Sequence, residues 1–286
     1  MRTGSIILLL LVVCAGVSCR DRVPDSPAEA ARLALRSLQR GAPLPVYRAL
    51  PEAWRRNVQA VVTRAIGAVE PGTWDELGVG LGLFADGIRR HPEAALTLPL
   101  PIRSEEDRVR VLQILVALEE HLDDAGLLRH ETARALDVER FLGDPGEELL
   151  PLLMELADRT RPCPAWNEAH DVLRAMAALR RDAGAALVED DEAFADSGEA
   201  TVAIGLGDLR HEVPFVQVDG RWVPRSMATA WDPGVEAVGS ALDRWIVRWT
   251  ENREAARVRV EAFRAAAEHF SKTGETRALL TTLPPL

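Results

Sequence analysis

The chain has too few cysteines to be held together by disulfides. Of its three, Cys14 lies in the leading apolar segment and Cys19 just after it, which leaves Cys163 alone, and a lone thiol makes no internal bridge. It also lacks a hydrophobic run long enough to cross a bilayer. A spanning helix needs about 20 apolar residues, and the longest such stretch, residues 6–17, is far shorter. Lysine is nearly absent. Its single copy, Lys272, precedes Thr273-Gly274, so no phosphate loop of the form G-x-x-x-x-G-K-[ST] exists. No G-x-S-x-G elbow is present either, and the nearest fragment, Val238-Gly239-Ser240-Ala241-Leu242, falls inside an apolar helical stripe. Positive charge is in deficit. The formal net charge is −10, which disfavours nucleic acid and anionic lipid headgroups as partners of the whole surface. With 44 acidic side chains, any pair could be nominated as an acid and base, so no pair is singled out.

What is present begins with an address. Arg2, the apolar residues 6–13 and the small residues Ala15, Gly16 and Ser18 form the three parts of a secretory signal, residues 1–18. The segment Gly16-Val17-Ser18-Cys19 resembles the lipobox of bacterial lipoproteins, departing from it at Gly16, where that family usually carries Leu. The resemblance implies that the Cys19 thiol takes a diacylglycerol and becomes the new N-terminus. The same bond also suits the ordinary signal peptidase, because Gly16 and Ser18 are both small. The expected location is therefore the periplasmic side of the cell envelope, anchored by lipid, or else soluble secretion. Residues 19–25 would be a tether. The remaining length is enough for a real apolar core.

Helical signals dominate residues 26–186. Ser26-Pro27-Ala28-Glu29 is a capping box with proline at the first helical position, and Gly41 stops that helix. Trp54, Val58, Val61, Val62, Ala65, Ile66 and Val69 mark a second helix from Pro51. Thr73-Trp74-Asp75-Glu76 reads as another capping box, opening a helix that buries Trp74, Leu77, Leu81, Phe84 and Ile88. Gly80-Leu81-Gly82-Leu83-Phe84-Ala85 matches a loose dinucleotide fingerprint, but no strand precedes it, and close helix packing over glycine explains the same letters. Ser104 to Asp107 caps an apolar helix through Val109, Leu112, Leu115, Val116, Leu118 and Leu122. Further helices are expected over 130–142, 145–158 (with a kink at Pro151) and 165–183.

Residues 187–286 change character. Ala200 to Ile204 alternate, and Asp219-Gly220 between Glu212 to Val218 and Arg221 to Val223 is the dipeptide suited to a type I′ hairpin. Three antiparallel strands are expected, with Pro214 at a start, edge or bulge. Asp232-Pro233 then opens a long helix whose near-heptad stripe, Val235, Val238, Leu242, Trp245, Trp249, Ala256, Val260, Phe263, Ala267 and Phe270, slips at Asn252 and Arg253, where Thr250 is a candidate cap. The class is α+β, mainly helical: a multi-helix body, a small three-stranded meander and a long C-terminal helix packing on the body.

Metal chemistry fails on spacing. His130-Glu131-Thr132-Ala133-Arg134 has arginine where a zinc-protease helix carries its second histidine. Glu119, Glu120, His121, Asp123 and Asp124 fan around a helix axis rather than converge, and His170-Asp171 with Glu168 is weaker. Glu189-Asp190-Asp191-Glu192 lacks the glycine and spacing of a calcium loop and reads as a solvated linker. Cys163, between two prolines, is a small structural residue. No metal, cofactor or catalytic residue is therefore expected. Seven tryptophans are many for so few other aromatics. Trp54, Trp74, Trp245 and Trp249 fall on buried stripes, Trp166 opens a helix, and Trp222, Trp231 and Phe215 are the candidates for a ligand pocket.

Two wider resemblances follow. Val216-Gln217-Val218-Asp219-Gly220-Arg221-Trp222-Val223-Pro224 looks like the closing hairpin of NTF2-like and related exported domains. Tyr47 to Trp54, Trp74, the same hairpin and Met227-Ala228 resemble uncharacterised exported bacterial proteins with an ALPxSYQ segment. They imply an architecture and an address without a reaction. The expected role is a non-catalytic one: binding a protein or small-molecule partner at the membrane to which Cys19 is tied. The alternative is an exported hydrolase with a dispersed active site.

Overall fold

A computed structural model describes residues 23–162, 167–183, 186–189, 198–206 and 209–282. It is mainly helical α+β, with thirteen helices among the described residues and one antiparallel sheet in the order β1-β2-β3-β4. Cys19, Cys163, Trp166 and residues 190–192 lie outside the described residues. Contacts divide the described residues into two compact units, each assembled from three segments: those up to 61, 137–151 and 172–241, and those of 62–136, 152–171 and from 242 on. The grouping differs from a sequential body and tail because helices distant in sequence pack together.

The first unit holds α1 (Pro27–Arg40), α2 (Leu44–Ala49), the start of α3 (Glu52–Gly67), α8 (Val138–Leu142) and the sheet. α1 starts at its expected capping serine. Ser26 Oγ accepts the Glu29 N–H at 3.1 Å, while the Glu29 carboxylate reaches one residue past the cap and accepts the Asp25 N–H at 2.9 Å. It ends at Gly41, whose φ of 72° is the left-handed stop glycine supplies. Strands β2 (Glu199–Leu206), β3 (Leu209–Val218) and β4 (Arg221–Pro224) form the expected meander, and Asp219 (φ 49°) and Gly220 (φ 71°) make its I′ turn. Pro214 pairs with Thr201 on one side only, because the β3–β4 ladder begins at Phe215. A fourth strand, β1 (Ala186–Glu189), pairs with β2. Four residues running into an acidic stretch are too few to show the alternation that reveals a strand in sequence. Val202, Val213 and Phe215 bury against Ala30 and Ala31 of α1, so that helix covers one sheet face.

The second unit is organised by two parallel helices, α4 (Pro71–Arg90) and α12 (Arg253–Thr273). Gly80 faces Phe263 and Gly87 faces Phe270, both pairs one heptad apart in the same direction. A Cβ on Gly87 would lie 2.3 Å from the Phe270 ring, and one on Gly78 would lie 2.1 Å from the Leu128 carbonyl oxygen. The glycines are seats for other residues, as close packing predicts, and no phosphate loop. The buried face of α4 is consequently Gly78, Gly80, Ala85, Gly87 and Ile88, whereas Leu77, expected inside, is 41% exposed. Phe270 and Leu98, both 0% exposed, form the core with Ile88, Ala95, Leu112, Ala266, Ala267 and Leu279.

Several helix ends differ from the sequence reading. α4 starts at Pro71 rather than Thr73, because proline at the first position needs no N–H partner; Thr73 is buried in the first turn. α9 (Asp144–Arg159) contains Pro151 within it. The 130–142 segment forms two short helices, α7 (His130–Arg134) and α8. α11 (Arg225–Glu251) begins directly after β4, so Pro233 lies inside it. Asn252, not Thr250, separates it from α12, and the Thr250 hydroxyl donates back to the Ile246 carbonyl at 2.8 Å. α5 (Pro92–Ala95), α6 (Asp107–Asp124), α10 (Asn167–Ala183) and α13 (Arg277–Thr282) complete the helices.

Candidate functional site: an apolar groove on α6

α6 is apolar on more than one side. Val111, Ile114 and Leu118 are buried. Val109, Leu112, Gln113, Val116, Ala117 and Glu120 recur at i, i+3, i+4, i+7, i+8 and i+11, a single continuous stripe. That stripe lines a groove of about 450 Å³, closed on its other side by Ile88 and Arg89 from the last turn of α4 and by Pro92, Glu93 and Leu96 around α5. The volume falls in the range of small-molecule sites. Val109 is 54% exposed and Leu96 39% exposed, so apolar surface stays in contact with water at its mouth.

Polar contacts set the walls. Arg89 donates to Glu120 at 2.7 Å and to Glu119 at 3.1 Å, joining α4 to α6 across one end. Desolvation works against the Arg89 charge, and the hydrogen bonds to Glu120 and Glu119 outweigh it, so its pKa is raised. Arg108 donates to the Leu98 carbonyl at 2.6 Å and fixes the loop after α5. At the start of α6, Arg110 forks onto Glu155 with contacts of 2.7 and 2.5 Å, and Arg159 bridges Glu155 and Asp107 at 2.9 and 2.6 Å. The Arg110 fork and Arg159 hold the Glu155 carboxyl below its ordinary range against partial burial; the Ser104 hydroxyl and Arg159 do the same for Asp107.

The groove lining contains no nucleophile and no histidine. Its acids are Glu120, engaged by Arg89, and Glu93 at the rim. The arrangement suits an apolar guest with one polar end. It offers no acid, base and nucleophile in convergence.

A serine, a histidine and an aspartate do meet elsewhere in this unit. Ser271 donates to Asp86 Oδ2 at 2.5 Å, and His91 Nε2 lies 3.1 Å from the Ser271 carbonyl oxygen. The serine proton points to the carboxylate instead of the imidazole, and Ser271 is only 4% exposed. The trio ties α4 to α12 and lacks the order of a catalytic triad. The Ser271 hydrogen bond lowers the Asp86 pKa; partial burial opposes it, and Arg90 and Arg89 add to it.

The residues singled out in sequence fall in separate places. Phe215 is buried in the sheet cluster with Trp222 packed beside it. Trp231 instead stacks on Trp54, ring centroids 4.1 Å apart and 6° from parallel. Trp74 donates to the Leu127 carbonyl at 2.9 Å and meets His130 edge-on. Trp245, expected on a buried stripe, is 40% exposed. Glu119 and Glu120 serve Arg89. His170, fully buried, has its Nε2 3.1 Å from the Thr160 carbonyl oxygen, where only a donor fits. Among the described residues no group of three or more His, Cys, Asp or Glu is placed to hold a metal ion. The groove itself was missed in sequence, although the excess of apolar residues on α6, with Val109 and Val116 beyond what one buried stripe needs, was its signal. No protein family, curated protein or solved structure matches this chain.

Proposed function

We propose that this is an exported, lipid-anchored envelope protein that binds an apolar ligand without transforming it, and that the groove along α6 is its binding surface. The observation that carries the binding role is the groove: an apolar stripe open to water, walled by satisfied ion pairs and free of nucleophiles. Residues 1–18 and Cys19 support the address. The apolar lining favours an acyl chain or a similar hydrophobic group, and Arg89, Glu93 and Gln113 at the rim would meet its polar end.

Two experiments test the two halves. Cys19→Ala should abolish uptake of labelled fatty acid and release the protein from salt-washed membranes, where electrostatic contacts are screened; unchanged fractionation after the wash, with no label taken up by the wild type, refutes the anchor. For the groove, the fluorescent fatty acid cis-parinaric acid should bind the wild type saturably. Val109→Glu places a charge at the apolar mouth and Val109→Trp obstructs it, and each should weaken binding at least tenfold. Val109 is exposed, so both variants should fold. Equal binding by all three proteins, or none by the wild type, refutes the site.

A further inference from the structure

The end of α11 within the second unit carries a repeated pair, Arg244-Trp245-Ile246-Val247-Arg248-Trp249. Four-residue spacing sets Arg244 beside Arg248 and Trp245 beside Trp249 on adjoining strips of the helix. The two indoles are stacked, with centroids 5.6 Å apart. Trp245 is 40% exposed and Val247 54%. Arg244 and Arg248 are also exposed.

Several arginines of the unit are matched: Arg89, Arg108, Arg110, Arg159 and Arg264 each hold a carboxylate. Arg244 and Arg248, and Arg253 and Arg259 just beyond them on α12, have no acidic partner among the described residues. The neighbouring acids are spent, Asp243 on Arg64, and Glu254 and Glu261 on Arg257. Glu251 alone is left over. In a chain of net charge −10, Arg244 and Arg248 set two unmatched guanidiniums on the strip beside an exposed indole.

We propose that this arginine–tryptophan face docks on the surface of an anionic phospholipid bilayer. Charge complementarity argues for that occupant: guanidiniums pair with phosphate oxygens in fork geometry, and an indole, apolar with one N–H, settles at the boundary between headgroups and acyl chains. The contact is lateral, since no described helix is long and apolar enough to cross a membrane. It involves none of the groove residues and does not depend on acylation of Cys19, so its test stands apart from those above.

The full chain carrying Cys19→Ala is mixed with vesicles of phosphatidylcholine, alone or with phosphatidylglycerol. Binding should require phosphatidylglycerol, weaken with salt, and bring tryptophan quenching by brominated lipid. Each basic residue near a charged membrane strengthens binding about fivefold, so Arg244→Gln with Arg248→Gln should lower partitioning about 25-fold. Trp245→Phe should remove most of the quenching while far-UV circular dichroism stays unchanged. Arg174→Gln with Arg277→Gln removes the same charge elsewhere and should leave binding as it was. Three results overturn the proposal: equal binding to pure phosphatidylcholine, equal loss in the two double variants, or capture by a DNA duplex with the same arginine dependence and none by vesicles.

Discussion

Replacing Gly87 with alanine should destabilise the protein, although alanine is the better helix former. In an exposed helix the change would gain about 1 kcal/mol. Here the new methyl would lie 2.3 Å from Cδ1 and 2.6 Å from Cε1 of Phe270. Carbon atoms rest near 3.5–4.0 Å apart, so the ring would have to retreat by about 1 Å. Phe270 has nowhere to go, because it and its neighbours Ala95, Leu98 and Leu279 are all 0% exposed. Overpacking of this kind costs about 1–3 kcal/mol, and a contact this close belongs at the upper end. The net expectation is a loss of about 1–2 kcal/mol. Gly72 lies in the same helix with nothing within 4 Å of an added Cβ, so Gly72→Ala should be neutral or stabilising by up to about 1 kcal/mol. Urea unfolding followed by far-UV circular dichroism compares the two midpoints. Adding Phe270→Leu to Gly87→Ala should cost less than the two single changes together, with a coupling of about 1 kcal/mol. If Gly87→Ala is as stable as Gly72→Ala, the parallel pairing of α4 and α12 through glycine seats is wrong.

Trp54→Ala should cost about 3–5 kcal/mol, because Trp54 and its stacking partner Trp231 are 6% and 2% exposed; Trp54→Phe should cost clearly less, and equal midpoints for the two would count against the stack. Gly220→Ala, at φ +71° with open space around it, should lose about 1 kcal/mol through backbone strain alone, whereas Asp219→Asn should keep the hairpin, as calorimetry can tell. Asp86 has a folded pKa below its ordinary value of 3.8, chiefly through the Ser271 hydroxyl. Its contribution to stability is therefore complete above that value and lost as pH falls through the lower folded one. Ser271→Ala should shift the acid-unfolding midpoint to higher pH, and it should cost more stability near neutrality, where the Asp86 contribution is complete, than at pH near 3, where part of it is already lost; an unmoved acid midpoint would contradict the assignment.

The local features were legible because their causes are local. A capping serine with glutamate three residues on, a glycine able to take positive φ, and Asp-Gly between alternating strands each act within a few residues, and Ser26, Gly41 and Asp219-Gly220 do in the structure what their letters imply. The α+β class, helix dominant, follows from the same signals. The candidate site was half legible: Val109, Leu112 and Val116 were visible as apolar helix positions, but whether such a stripe is covered depends on what packs beside it.

Tertiary structure decided the rest. Gly78, Gly80, Gly82 and Gly87 read alone are a weak helix; only the arrival of Phe263 and Phe270 from far along the chain makes Gly80 and Gly87 necessary. Val238 and Trp245 share a long apolar stripe in sequence, yet the first is buried and the second meets water. Periodicity shows which residues share a helix face, and the fold determines which part of that face is covered. By itself, the sequence determined most of the helices and the hairpin turn. The groove, the glycine seam and the exposed arginine–tryptophan face exist only because distant segments meet, which a pattern of neighbouring residues does not encode.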